Sequence, residues 1–69
     1  MSKSISTQLK KIGKRIAAIR KQKQLTQAEL AENVGCHKKT IENIEAGCGG
    51  RISHYLSIKQ ELNIDELFI

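Results

Sequence analysis

The sequence contains no proline, and it has no run in which β-branched and polar residues alternate as they do in a strand. No apolar stretch approaches the roughly 18 residues that a bilayer span requires. These absences argue against a sheet protein and against a membrane-spanning one. A chain of 69 residues suffices for one domain, so we expect residues 1–69 to form a single all-helical unit.

Cysteine is also scarce. Cys36 and Cys48 are too few for a disulfide scaffold and fit a reducing compartment. With His37 and His54 they would suggest a metal, but the sequence has no C-x-x-C or H-x-x-x-H pair. We therefore expect no metal and no cofactor, with Cys36 buried and Cys48 in a loop. The segment Met1–Ile5 lacks the apolar stretch of a signal peptide, so we expect a cytoplasmic protein.

Catalytic patterns are missing as well. The sequence has no serine–histidine–carboxylate set, no phosphate-binding G-x-x-x-x-G-K and no paired carboxylates in a plausible cleft. A chain this short does not easily enclose a pocket. We expect that the protein is not an enzyme.

Positive charge is concentrated at the start of the chain. The net charge is +5, of which residues 1–24 contribute +8 and the remainder −3. No acidic residue occurs in that first segment, whose basic residues are Lys3, Lys10, Lys11, Lys14, Arg15, Arg20, Lys21 and Lys23. The asymmetry suggests a polyanionic partner, although a solvated basic helix explains the charge equally well.

Helical periodicity is clear in the same segment. Leu9, Ile12, Ile16 and Ile19 recur at intervals of three, four and three, which predicts a first helix over residues 6–23. Residues 1–11 form a basic N-terminal extension. Gly13 costs this helix about 1 kcal/mol relative to alanine, so we expect another element to pack closely there.

The second helix has recognisable ends. Thr26 and Glu29 form a capping box, in which each side chain satisfies a free backbone N–H of the other residue. The helix is predicted to run to Asn33 or Val34. Gly35 ends it, because glycine adopts the left-handed conformation that a sharp reversal requires.

Three further elements follow. A third helix is predicted over residues 38–47 and a fourth over 53–62, with a flexible loop at 48–51 between them. Residues 63–69 are interpreted as a short fifth helical turn. No repeat, linker or second domain is evident.

Residues 26–47 satisfy the requirements of a helix-turn-helix unit. Crossing helices need a small side chain at their contact, the turn needs a positive φ, and inward apolar side chains must fix the angle between the helices. The residues that meet these needs are Ala31, Gly35, Leu30, Ile41 and Ile44, with Cys36 as a small plug in the turn.

The segment Leu-Thr-Gln-Ala-Glu-Leu-Ala at residues 25–31, with Ile-Gly-Lys-Arg-Ile at 12–16, resembles the Cro/repressor-type (XRE-type) helix-turn-helix family. The resemblance covers roughly residues 12–62. It implies a compact four- to five-helix bundle of the lambda-repressor-like type. In that family the third helix enters the major groove of double-stranded DNA, usually as part of a symmetric dimer.

The resemblance also implies roles for individual residues. Base contacts fall on the exposed positions of the third helix, and phosphate contacts on positions around it. The expected base-contacting residues are His37, Lys38, Lys39 and Asn43, and the expected phosphate-contacting residues are Gln27, Thr40, Arg51 and Arg20. Lysine can donate to guanine O6 and N7, and asparagine can bond bidentately to adenine. Arg20 and Glu45 match a salt bridge that joins the first helix to the third.

The sequence departs from the family pattern in several places. His37 is a poorer helix cap than the usual serine or threonine, and Cys36 replaces the usual valine or isoleucine. The loop with Gly49 and Gly50 is expected to be looser than the usual loop of the family. The segment after residue 62 is shorter than the typical family ending. Glu42 would repel phosphate unless it lies on the flank of the helix or accepts from a cytosine amino group.

The predicted function is a transcription regulator, a repressor that binds a palindromic operator as a homodimer. One alternative is the antitoxin of a toxin–antitoxin pair, with residues 1–11 contacting the toxin. Another is a protein-interaction module that no longer binds DNA, which Lys38 and Lys39 disfavour. The apolar end, residues 67–69, is expected either to close the core or to contact the dimer partner.

Overall fold

Four helices make up the computed structural model, which describes residues 3–65, with side chains from residue 5 onward. The helices are α1 (Lys3–Gln22), α2 (Gln27–Val34), α3 (Lys38–Ala46) and α4 (Ile52–Glu61). This range contains no strand, as the all-helical prediction requires. None of its helices is long and apolar enough to cross a membrane. The predicted bounds of α1, α3 and α4 lie within one residue of the observed ones, except that α1 begins three residues earlier than predicted.

One cluster of side chains forms the core. Each of the four helices contributes to it, because each presents an apolar stripe to the same centre. Its buried members are Ile16, Leu30, Ala31, Ile41, Ile44, Tyr55, Ile58, Leu62 and Ile64, and Leu9, Ile12, Ile19, Leu25, Val34 and Cys36 pack against it. The apolar stripe predicted for α1 therefore faces the core.

Both predicted ends of α2 are confirmed. The Glu29 N–H donates to Thr26 Oγ1 over 3.0 Å, and the Thr26 N–H donates to Glu29 Oε1 over 2.8 Å, which completes the capping box. Gly35 has a φ of 86°, and its N–H donates to the Ala31 carbonyl. A side chain at this φ would be strained, so glycine permits the turn into α3.

The two ends of α3 differ. His37 is its N-cap and makes no side-chain hydrogen bond to the helix, as expected for a poor cap. At the other end, Gly47 has a φ of 87°, and its N–H donates to the carbonyls of Asn43 and Ile44. Capping hydrogen bonds therefore stabilise the C-terminus of α3, whereas no N-cap side chain stabilises its N-terminus.

The predicted fifth helical turn is wrong for residues 63–65, which form a turn and a bend. Asn63 takes a left-handed φ of 57°, and the Ile64 N–H donates back to the Lys59 carbonyl over 2.9 Å. This Schellman-type ending stops α4 and returns Ile64 to the core. The apolar end at 67–69 lies outside the described residues, and its two expected roles stay predictions.

Neither cysteine forms a disulfide. Cys36 is only half-buried at the edge of the core, so the prediction of a buried residue was too strong. Partial burial raises the pKa of its thiol, which favours the protonated form. Cys48 is exposed in the loop before α4, as predicted.

The backbones of α1 and α3 meet at Gly13. A Cβ atom built at this position would lie 2.5 Å from the Ile44 carbonyl oxygen and 2.6 Å from that of Glu45. Both neighbours are backbone atoms, which cannot rotate away. The close packing expected at Gly13 is confirmed, and it explains a glycine in the middle of a helix.

A buried ion pair joins the same two helices. Arg20 Nε lies 2.7 Å from Glu45 Oε2, and a terminal guanidinium nitrogen donates to Glu45 Oε1 over 3.1 Å. The other terminal nitrogen donates to the Leu25 carbonyl over 2.7 Å. The salt bridge implied by the family resemblance is therefore present.

The carboxylate of Glu45 also contacts α2. Gln27 Nε2 donates to Glu45 Oε1 over 2.9 Å, a bond that the sequence did not predict. One carboxylate on α3 thus accepts from a guanidinium on α1 and an amide on α2. These bonds fix the position of α3 relative to both helices.

We expect Gly13→Ala to lower the free energy of unfolding by about 1–3 kcal/mol, because the added methyl overlaps the α3 backbone. Helix propensity alone would raise the free energy of unfolding by about 1 kcal/mol, so the sign of the measured change separates the two effects. Thermal and urea unfolding measure it. The control is Ala18→Gly on the exposed side of α1, which tests propensity without packing. A stabilised Gly13→Ala variant would contradict the close contact.

We expect Glu45→Ala to cost about 3–5 kcal/mol, since it leaves the Arg20 guanidinium buried without its partner. Glu42→Ala on the same helix is the matched control. Its ion pairs are solvent-exposed, so it should change stability by about 1 kcal/mol or less. Urea unfolding of both variants gives the comparison. Equal losses would show that the buried pair does not anchor α3.

Candidate nucleic-acid interface

The outward face of α3 carries the side chains predicted to contact bases. Ile41 and Ile44 point into the core, and helical periodicity places Lys38, Lys39 and Asn43 away from it. The two lysine side chains are 58% and 78% exposed, and Asn43 is exposed. None of the helices within residues 3–65 covers this face, so its polar groups can approach a duplex.

Glu42 lies between the two lysines. Lys38 Nζ is 3.6 Å from Glu42 Oε2, and Lys39 Nζ is 3.9 Å from Glu42 Oε1. The carboxylate therefore offsets part of the lysine charge, and the lysines offset its repulsion of phosphate. The i,i+4 spacing of Lys38 and Glu42 is the sequence signal that could have found this pairing. Both expected roles of Glu42 stay open.

Arg20 and Gln27 lie inside the protein's own hydrogen-bond network. Arg20 is buried, and its guanidinium faces Glu45 and the Leu25 carbonyl. This placement supports its structural role, and a phosphate contact by Arg20 stays a prediction. Gln27 is half-buried with one amide N–H on Glu45, which leaves a second N–H to donate to phosphate.

The loop between α3 and α4 is held against α3. A Cβ atom at Gly50 would lie 3.0 Å from Ile44 Cγ1, so a larger residue would crowd the core there. Arg51 follows as the N-cap of α4, is exposed, and makes no capping bond with its side chain. Gly50 thus approaches Ile44 closely, and the expectation of a looser loop stays a prediction. Arg51 therefore directly follows a residue that packs closely against Ile44, and its own side chain is exposed to solvent.

The remaining predicted residues differ in exposure. His37 is exposed at the start of α3, and Thr40 is half-buried one turn into the helix. His54 is half-buried and Tyr55 belongs to the core. No three histidine, cysteine or acidic side chains gather into a metal-binding group within the described part of the chain.

The family comparison agrees with this geometry. A family model described as helix-turn-helix matches residues 16–54, which is more than half of the chain and includes α2, the turn and α3. No curated protein and no solved structure matches the chain. The protein belongs to the Cro/XRE-type helix-turn-helix family of DNA-binding transcription regulators.

Proposed function

We propose that this protein is a cytoplasmic transcription repressor that binds a palindromic operator as a homodimer. The observation that carries the proposal is the uncovered face of α3 with Lys38, Lys39 and Asn43. Repression is the simpler mode of regulation for such a module, because occupying a site is enough to exclude other proteins. Activation requires a further contact with the transcription machinery.

In this proposal α3 enters the major groove and its exposed residues contact base edges. Lys38 and Lys39 donate to guanine, and Asn43 bonds to adenine. His37, at the start of the helix, contacts the edge of a neighbouring base. Arg51 and the second amide N–H of Gln27 bind phosphate on either side and set the register. Thr40 is the remaining phosphate-contacting candidate.

A dimer follows from the small number of base contacts in one copy. A single α3 distinguishes too few base pairs to select one site in a genome. Two copies related by a two-fold axis double these contacts and place half-sites about one helical turn apart. The operator should then be a palindrome with that spacing.

An exposed apolar pair on α4 supports self-association. Ile52 and Leu56, one turn apart, are 64% and 49% exposed. A two-fold contact brings the same patch from both copies together, so two apolar residues become four. We propose that this pair lies in the dimer interface.

We expect the double change Lys38→Ala and Lys39→Ala to reduce the ratio of operator to unrelated-duplex affinity by at least about ten-fold, since each base contact discriminates by about 1–3 kcal/mol. The operator is first selected from a random duplex pool, and fluorescence anisotropy then measures both affinities. Circular dichroism checks that the exposed substitutions leave the helices intact.

Two controls sharpen this test. Adding Glu42→Ala to the double variant separates the loss of the lysines from the exposure of an unpaired carboxylate. Lys59→Ala on α4 removes one lysine elsewhere and should leave the affinity ratio unchanged. If the double variant keeps the wild-type preference for the operator, the assignment of α3 as the base-contacting helix fails.

We expect Ile52→Asp with Leu56→Asp to raise the dimer dissociation constant at least about ten-fold, because four carboxylates would then meet across the axis. Sedimentation equilibrium measures the constant in the presence and absence of operator. Ile5→Asp is the matched control, since Ile5 is also exposed, at 68%, but lies on α1. Equal effects of the two changes would refute the proposed interface.

A further inference from the structure

The outward side of α1 is rich in basic residues and has no acidic one. Five exposed residues form this basic face, namely Lys10, Lys11, Lys14, Arg15 and Lys21. The opposite side of the helix packs on the core through its apolar stripe. No acidic residue occurs in α1, and none of the five forms an ion pair with a described residue.

Three of these lysines lie along one line. Lys10, Lys14 and Lys21 are separated by four and seven residues, which are one and two turns of an α-helix. At 1.5 Å per residue they span about 17 Å along the axis. One strand of B-DNA carries a phosphate roughly every 3.4 Å along its axis, so about five phosphates fall within the same length. Each of the three lysines can face one of them.

The helix-turn-helix unit itself is not basic. Residues 26–47 contain two lysines and four glutamates, a formal charge of −2. Both lysines lie beside Glu42, and the nearby Arg20 is paired with Glu45. Affinity for DNA depends strongly on cations that release counterions from the duplex. The unit that contacts bases therefore holds little of that charge, and α1 holds most of it.

We propose that the basic face of α1 binds the phosphate backbone of duplex DNA, outside the groove that α3 contacts. The proposal rests on the proposed function for its ligand, and it adds a second, sequence-independent contact surface. In this proposal α3 determines which DNA sequence is preferred, and α1 supplies much of the salt-dependent affinity for the duplex.

The composition of the face favours DNA over other polyanions. A membrane-binding helix presents apolar residues beside its cations, but the apolar stripe of α1 is packed on the core. Ile5, the exposed large apolar residue of α1, continues the line of that stripe and does not lie between the lysines. A protein interface usually has a centre of large apolar side chains, whereas the exposed apolar residue among these cations is the small Ala18. A row of cations without a pocket fits a repeating phosphate backbone.

The test is the triple variant with Lys10→Gln, Lys14→Gln and Lys21→Gln. Its affinity is measured for the selected operator and for an unrelated duplex of equal length, from 50 to 300 mM salt. We expect binding to both duplexes to weaken by the same factor, about 10²-fold at 0.1 M salt, with the salt slope reduced by about 2–3. These residues are exposed, so circular dichroism should show unchanged helix content.

Single changes keep the test valid if the triple variant does not fold. Lys14→Gln should lower the salt slope by about 1 for both duplexes. Lys59→Gln, which removes one lysine from α4, is the matched control and should leave the slope unchanged. Equal slopes for these two variants would overturn the proposal.

The outcomes separate this proposal from the proposed function. If the wild type shows no sequence preference but its binding still depends on the three lysines, the basic face stands and the sequence-specific repressor fails. If the triple variant loses only operator binding, or retains the wild-type slope, the basic face is wrong and α3 keeps its role. Unchanged DNA binding with lost binding to polyglutamate would instead assign the face to an acidic protein, which also overturns the proposal.

The number of duplexes bound per protein locates the phosphates. Given a reduced salt slope, a stoichiometry that is unchanged in the triple variant places these phosphates on the duplex that α3 contacts. A second, weaker binding event in the wild type that disappears in the triple variant places them on another duplex. Either result supports the basic face, and sedimentation velocity with labelled DNA distinguishes them.

Discussion

Glu45 is the residue on which the arrangement of the helices depends. Its carboxylate is buried in contact with α1 through Arg20 and with α2 through Gln27, while its own helix is α3. A buried carboxylate is costly unless its lone pairs are satisfied, and here three donors satisfy them. Packing at Gly13 reinforces the same contact, since the α1 backbone approaches the Glu45 carbonyl. The position of α3 is thus fixed by polar geometry as well as by apolar burial.

Fixing α3 from behind leaves its other side available for binding. The inward residues Ile41 and Ile44 and the carboxylate of Glu45 occupy one half of the helix. Lys38, Lys39 and Asn43 occupy the other half, and among the described side chains the two lysines pair with Glu42. Because the stabilising residues and the exposed residues are separate, the exposed ones can change without loss of the fold. This separation suits a family whose members bind different sequences.

Charge is divided between the helices in a similar way. The two lysines on α3 share the carboxylate of Glu42, which offsets part of their positive charge. Most unpaired positive charge lies on α1, where the described residues provide no acid to offset it. A regulator needs both selection among sites and enough general affinity to reach them. Under the two proposals made above, these two properties would be adjusted on different helices.

The sequence by itself determined the features that depend on residues close together in the chain. The apolar period of α1, the capping box of Thr26 and Glu29, and the turn at Gly35 are local patterns, since each involves bonds or contacts within about one helical turn. The family resemblance added the pairing of Arg20 with Glu45, which lie 25 residues apart. Only the tertiary structure decided the contacts that neither local pattern nor resemblance predicted.

The bond from Gln27 to Glu45 joins residues 18 apart and forms only after α2 and α3 have packed. The contact of Gly50 with Ile44 likewise depends on where the loop returns to the core. Asn63 ends α4 in a left-handed conformation that brings Ile64 to the core, where a helical pattern had been predicted. The first bond joins distant segments, and the other two outcomes depend on where the chain after α3 or α4 meets the core, which helix propensity alone does not set.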